Sequence, residues 1–206
     1  MELKGKHILP TWTRSLDKLV KSNEIIPTER NGDTIELQNF ILIFTDPLQN
    51  IQQVVEFDLK RGIDYCSDSF VNYWASVDER LNEFVSANGK IDQVKSICFK
   101  LSNSQYNRQA YASVWSPEKD SVSPYPFCIV GVYFYVRNSA LNMTAILRSN
   151  DAWGQALNDI YHLVKIHKSI ADKIKIPVGI YTHVAMSYHI YISDLIKAKL
   201  YLEGEK

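Results

Sequence analysis

The clearest rhythm in the chain runs through residues 152–173, where Ile160, Leu163, Val164, His167, Ile170 and Ala171 recur at i, i+3, i+4 and i+7 and mark one face of a helix. His167 on that face reads as a core histidine. Upstream, Phe70, Trp74, Val77, Leu81, Phe84 and Val85 predict a helix over 67–86. Asn88-Gly89 breaks it, and Ile91, Val94, Ile97, Cys98 and Leu101 form the stripe of a second helix. On that stripe Cys98 reads as a small buried hydrophobe. Shorter helices are predicted over 13–22 and 194–201. Strands are predicted at 35–45, after the turn Arg30-Asn31-Gly32-Asp33 and closed by Asp46-Pro47, and at 111–115, closed by Ser116-Pro117. Residues 128–136 and 141–147 read as a strand pair around the turn Arg137-Asn138-Ser139, and Pro177 opens a last strand over 178–191. The stretch from Asp46 to Gly62 has no readable period. Together these elements predict an α+β fold with a central, mostly antiparallel or mixed sheet flanked by helices, and a single domain over 1–206.

Composition narrows the partners. The 206 residues carry 23 basic and 23 acidic side chains, so the formal net charge is zero. No basic block offers a nucleic-acid surface, and an anionic ligand must be held by a few local groups. Cys66, Cys98 and Cys128 show no metal-ligand spacing, and the chain opens Met1-Glu2-Leu3-Lys4 without a signal-peptide pattern. The expectation is a cytoplasmic protein with no metal, no nucleic-acid partner and no membrane span.

Two places concentrate chemistry. Cys128 follows the turn Tyr125-Pro126-Phe127 and precedes the apolar run from Ile129, so a strand end presents it as a rigid nucleophile would be presented. Arg148-Ser149-Asn150-Asp151 lies between a strand and a helix and combines a cation, a hydroxyl and helix-start amides, a junction suited to phosphate. Arg148 in the paired strand is also the cation that favours a Cys128 thiolate. Asp151 is placed to cap the helix that follows.

The run Tyr125-Pro126-Phe127-Cys128, then Arg148-Ser149-Asn150-Asp151-Ala152-Trp153-Gly154, then His189-Ile190-Tyr191, resembles thymidylate synthase and its pyrimidine hydroxymethylase relatives in order and, without gaps, in spacing. It is most similar to the short archaeal-type members. The resemblance continues upstream through Asn107-Arg108-Gln109-Ala110 and Val114-Trp115-Ser116-Pro117-Glu118-Lys119-Asp120, and faintly to Glu29-Arg30-Asn31-Gly32 and Glu36-Leu37.

The resemblance implies a thymidylate synthase-like fold, a pyrimidine nucleoside monophosphate as substrate and 5,10-methylenetetrahydrofolate as cosubstrate. It implies that Cys128 adds to C6 of the base, that Arg30, Arg148 and Ser149 hold the phosphate, and that Arg108 reaches the phosphate of the partner in a homodimer. Gln109 replaces the arginine that usually follows. His189 and Tyr191, on one face of a strand, would reach the sugar hydroxyl and the base's water network, and Asp151 the pterin ring. The upstream glutamate and tyrosine of the family have no clear counterpart; Glu56, Glu79 and Tyr73 are the candidates.

Asp159 is the departure that bears on substrate. The family's synthases carry an asparagine there, which reads O4 and N3–H of uracil, whereas a protonated aspartic acid accepts from N4 and donates to N3 of cytosine. A one-residue shift would put Asn158 in that place instead. Asp159 points to a deoxycytidylate, or CMP, 5-hydroxymethyltransferase. The short segment after His189-Ile190-Tyr191 agrees, since less cover over the folate would let water reach the reacting carbon. The alternatives are a thymidylate synthase acting on dUMP and a family member that binds a nucleotide without turnover.

Overall fold

The computed structural model describes residues 1–22, 24–29 and 32–204. Arg30 lies outside the described residues. The elements are β1 (Glu2–Gly5), α1 (Ile8–Ser22), β2 (Ile25–Pro27), β3 (Asp33–Phe44), α2 (Ile51–Lys60), α3 (Asp68–Asn82), β4 (Phe84–Ser86), β5 (Gly89–Ile91), α4 (Gln93–Asn103), β6 (Tyr111–Ser113), α5 (Pro117–Asp120), β7 (Ile129–Arg137), β8 (Ala140–Leu147), β9 (Asn150–Asp151), α6 (Ala156–Ile174), β10 (Val178–Tyr191) and α7 (Ile192–Gly204). Among them eight strands form one mixed sheet in the order β1-β3-β10-β8-β7-β6, with β2 beside β3 and β9 beside β10. The fold is α+β, as the pattern predicts.

β10 is the spine. Both its edges are paired, β3 antiparallel along one, β8 and then β9 parallel along the other, and buried and half-buried residues alternate from Tyr181 to Ala185. Phe40, Leu42 and Phe44 of β3, Tyr181, His183 and Ala185 of β10, and Leu141, Met143, Ala145 and Leu147 of β8 are buried together beneath the helices. Stacked pairs tie the first two rows, Phe40 on Tyr188 and Phe44 on Tyr181. The opposite face is only half covered. There Ile41 lies beside Val184, and Val184 beside Ile146.

Several boundaries differ from the sequence pattern. α1 starts at Ile8, five residues before the predicted helix, because Pro10 sits in its first turn, where a missing N–H costs nothing. The predicted helix over 67–86 stops at Asn82, and Phe84–Ser86 pairs with Gly89–Ile91 as a small hairpin. Ala87-Asn88 is its turn, and Gly89 opens β5 at φ +106°. Ile91 is therefore an exposed strand residue and not part of the α4 stripe, and Cys98 is half buried at the edge of the core. The long helix begins at Ala156 instead of about 152, since Asp151 folds the chain into a turn first.

The stretch without a readable period holds α2, which buries Val54 and, in an ion pair, Asp58. Arg61, just past α2, donates to Asp58 and to the Trp153 carbonyl at 3.0 Å, and its guanidinium lies over the Trp12, Phe57 and Trp153 rings. Tyr65 donates to the second Asp58 oxygen at 2.6 Å. Among the described residues no helix is long and apolar enough to cross a membrane. Arg61→Met would strand the Asp58 carboxylate. The expected cost is about 3–5 kcal/mol near neutral pH, read as a lower urea midpoint. Burial already pushes the Asp58 carboxyl above its ordinary value. Without the guanidinium it takes up a proton more readily, so the deficit shrinks at pH 5 and grows toward pH 8; a loss that is small and pH-independent would contradict the role of the pair.

Candidate active site

A cavity of about 350 Å³ opens where α3, α6, β9 and β10 meet the end of β7, lined by Tyr73, Tyr125, Pro126, Cys128, Ser149, Asn150, Asp151, Gln155, Asp159, His189 and Tyr191. Its size falls within the range of small-molecule sites, about 300–1,000 Å³. Six of the nine residues singled out from sequence line it, including both assigned catalytic roles.

Cys128 sits immediately before β7, and its backbone is fixed by the hydrogen bond from Arg148 N to Cys128 O at 2.8 Å. The β7–β8 register shifts between Ile129 and Gly131, a bulge of the kind that re-aims a neighbouring side chain. The Val130 carbonyl at this bulge accepts from Val114 N and Trp115 N, each at 3.0 Å. Arg148 Nη2 lies 4.0 Å from Cys128 Sγ. The guanidinium is held there by the carbonyls of Phe127 at 3.0 Å and Pro126 at 2.9 Å, so its position behind the sulfur is built in. Arg148 itself does not line the cavity; Ser149 does.

The next two residues form β9, and their pairing with β10 sets the rest of the wall. Asn150 stands opposite Tyr188 and Asp151 opposite His189, and Ala152 N donates to His189 O at 2.7 Å. Asp151 Oδ1 accepts from the amides of Trp153 and Gly154, both at 3.0 Å. The carboxylate thus closes its own turn and does not cap α6. A Cβ on Gly154 would come within 2.6 Å of Asp151 Oδ2, so a larger residue there would push the carboxylate aside. Burial raises the Asp151 carboxyl above its ordinary value, with the two amides and His189 opposing. His189 and Tyr191 point to one side of β10, ring centres 5.4 Å apart and nearly perpendicular. Gly32, at the turn before β3, faces the Tyr191 ring, 3.3 Å from where a Cβ would stand.

α6 presents Asp159 to the cavity and turns Asn158 away. Asn158 accepts from Trp74 Nε1 at 2.7 Å inside the helical layer. Asp159 is 3% exposed. Its Oδ2 accepts from Asn150 Nδ2 at 2.7 Å, and no cation is paired with it among the described residues. Burial, reinforced by the Asp151 charge and only partly offset by Asn150, pushes the carboxyl up to about 8. It is protonated at neutral pH and can act as a hydrogen-bond donor.

Of the unassigned upstream candidates, Tyr73 lines the cavity. Its hydroxyl is buried beside the backbone of Cys128 and Ile129, and burial, with the Asp159 and Cys128 charges, raises it well above its ordinary value. Glu56 and Glu79 are exposed and outside the cavity. Arg108 is exposed on the loop before β6 and does not reach the cavity of its own chain. Sequence reasoning missed Gln155 and Asn150; Asn150 stood inside the motif but beside more reactive neighbours.

A thymidylate synthase family model matches residues 50–206. A protein of Methanocaldococcus jannaschii, provisionally named thymidylate synthase, is 30% identical over 212 residues that cover 95% of this chain and 94% of its own. A protein of Methanococcoides burtonii with the same provisional name is 26% identical over 208 residues, 98% and 94% of the two chains. The deoxyuridylate hydroxymethyltransferase of Bacillus phage SP01 is 27% identical over 150 residues, 66% of this chain and 38% of its own. The chain belongs to the thymidylate synthase family, whose members transfer a one-carbon unit from 5,10-methylenetetrahydrofolate to C5 of a pyrimidine nucleotide.

Proposed function

We propose that this chain hydroxymethylates C5 of deoxycytidylate, or of CMP, through a Cys128 adduct at C6. The observation that carries the reading is Asp159: a buried carboxyl in the cavity wall, paired with the neutral Asn150 amide and raised by burial to about 8, where a base must be read. C5 of a pyrimidine is a poor nucleophile until a thiolate adds at C6. Arg148 beside Sγ favours the Cys128 thiolate. As the C6–S bond forms, negative charge moves onto the ring at N3, and the Asp159 proton is in place to neutralise it while the other carboxyl oxygen accepts from N4. Tyr73 is the remaining buried hydroxyl in the cavity for a proton transfer near C5. Ser149, with Arg148 and Arg30, would hold the phosphate, and His189 and Tyr191 the sugar.

The residues suit the folate cosubstrate. Asp151 spends Oδ1 on two backbone amides and keeps Oδ2 for a pterin N–H. When bound, the folate supplies the one-carbon unit at the oxidation level of formaldehyde. The segment after Tyr191 forms α7, which packs on α1 through Tyr201 against Trp12 and Thr13.

A homodimer fits the half-covered sheet face. Ile41, Val184 and Ile146 lie in one row across β3, β10 and β8, with Ile43, Thr182, Thr144 and Tyr133 in the next. A second copy on this face would bury that layer and bring its exposed Arg108 toward the phosphate.

The relatives' names favour a second reading, in which dUMP is the substrate and the product is methylated or hydroxymethylated. In that case the carboxylate form of Asp159 would accept from N3–H.

Cys128→Ser should abolish tritium release from C5 of the labelled nucleotide while calorimetry still detects nucleotide binding, because a serine hydroxyl is barely ionised near neutral pH; persistent turnover would remove the covalent step. Asp159→Asn should move the preference from dCMP toward dUMP by roughly ten- to a hundredfold, the equivalent of one buried polar mismatch of about 1–3 kcal/mol. Wild-type dCMP turnover should fall as pH rises through about 8, where Asp159 loses the required proton, and a wild type that prefers dUMP would favour the second reading. Mixing inactive Arg108→Ala and Cys128→Ser protomers should restore activity through hybrid dimers with one intact site. A monomer by light scattering would refute the shared site.

A further inference from the structure

Asp159 ends a buried chain of hydrogen bonds that runs from the cavity wall into the sheet. Asn150 Nδ2 donates to Asp159 Oδ2 at 2.7 Å, Asn150 Oδ1 lies 3.0 Å from His183 Nε2, and His183 Nδ1 lies 2.7 Å from the Tyr181 hydroxyl. Tyr181 and His183 are fully buried and Asn150 is 2% exposed. The imidazole is neutral, since burial pushes His183 down to about 3. It therefore has one N–H and one lone pair, and the group on each side fixes which nitrogen holds which.

A chain of neutral groups like this has two self-consistent directions. In one, Tyr181 donates to Nδ1, Nε2–H donates to Asn150 Oδ1, and the Asn150 amide donates to Asp159. In the other every bond is reversed: Asp159 gives its proton to Asn150, and Tyr181 accepts from Nδ1–H. The reversed direction leaves the Tyr181 hydrogen needing a further acceptor. The Tyr181 hydroxyl has no second partner among the described residues, and a buried donor left unpaired costs about 1–3 kcal/mol. The dead end at Tyr181 selects the first direction.

The consequence lies at the other end. With the amide N–H of Asn150 aimed at Oδ2, the Asp159 proton has no acceptor on that side and stays on Oδ1. We propose that Tyr181 and His183 are specificity-determining positioning residues, which hold Asn150 in the orientation that keeps the Asp159 proton available to the bound base. This rests on the reading of Asp159 as the base reader. An outward proton suits the bare N3 of cytosine; an Asp159 that donated inward to a flipped Asn150 would offer a lone pair instead, which suits N3–H of uracil. Base choice is thus set partly from two residues that touch no substrate.

Tyr181→Phe tests this with little disturbance, since it keeps the ring stacked on Phe44 and removes only the hydroxyl. The ratio of dCMP to dUMP dissociation constants, measured by calorimetry, should shift toward dUMP by roughly tenfold, the equivalent of about 1.4 kcal/mol. In an Asp159→Ala background the same substitution should leave the ratio unchanged, because no polar group at 159 is left for Asn150 to orient. Nitrogen-15 NMR of the wild type should find His183 as the Nε2–H tautomer, a readout that does not depend on any variant folding. An Nδ1–H tautomer, or an unchanged ratio in a Tyr181→Phe protein of normal melting temperature, would overturn the proposal. If Asp159→Asn alone leaves the ratio unchanged, the base-reader reading fails; if Asp159→Asn shifts it and Tyr181→Phe does not, the relay alone fails.

Discussion

The site depends on one pairing: β10 shares a single edge between β8 and β9. β8 and β9 run parallel to β10 in succession, and the Arg148–Ser149 break between them is pinned at both ends, by Ser187 N to Arg148 O at 3.2 Å and by Ala152 N to His189 O at 2.7 Å. That break turns Arg148 back toward Cys128, exposes Ser149, and delivers Asn150 and Asp151 beside His189. Cys128 is held from the other side by Arg148 N. Backbone hydrogen bonds thus fix the cysteine, the polar junction and the His189–Tyr191 pair relative to one another before any side chain is considered, which is how a site gains geometry that loops alone would not hold.

Three buried aspartates show how partners decide the state of a carboxyl in one protein. Asp120 receives Arg80 and the amides of Ser116 and Phe127, and these outweigh its burial and hold it below the ordinary range. Asp58 also has an arginine, yet its deeper burial wins and its carboxyl is raised. Asp159 has only a neutral amide and a like charge nearby, so nothing opposes desolvation strongly. The first two serve as structural ion pairs, Asp58 through the Arg61 bond to the Trp153 carbonyl in the turn that carries Asp151. The third is the one with no cation beside it among the described residues.

The sequence made β10, β7, β8 and the long helix legible because their period was unbroken over many residues. It hid α2, where Val54 and Asp58 are buried among exposed neighbours and the apolar stripe is too thin to read. It merged α3 with the hairpin after it because Phe84 and Val85 happen to fall at helical spacing. Motif order already grouped Cys128, Asp151, Asp159, His189 and Tyr191, which the structure brings to one cavity, but nothing in it pointed to the buried hydrogen bonds from Asn150 to His183 and Tyr181. Tyr181 and His183 look like ordinary alternating strand residues, and only the β9–β10 pairing brings Asn150 to them. The Asp151 turn was missed for a similar reason: aspartate before a helix reads as a cap, whereas the bond to the Gly154 amide closes the turn ahead of the helix.

The choice between Asn158 and Asp159 is where a one-residue shift has the largest chemical effect. Adjacent positions on a helix point about 100° apart, so only one of them can face the cavity while the other enters the helical layer. Trp74 decides which, because its indole N–H is buried and takes the Asn158 carbonyl as partner. Leaving that N–H unpaired would cost about 1–3 kcal/mol, and rotating α6 to bring Asn158 to the cavity would incur it while also burying Asp159 away from Asn150. The same contact leaves Asn158 Nδ2 without a partner, a local deficit accepted on the far side of the helix. Two side chains, Trp74 on α3 and Asn150 on β9, thus hold α6 in the rotation that presents Asp159, and not Asn158, to the cavity.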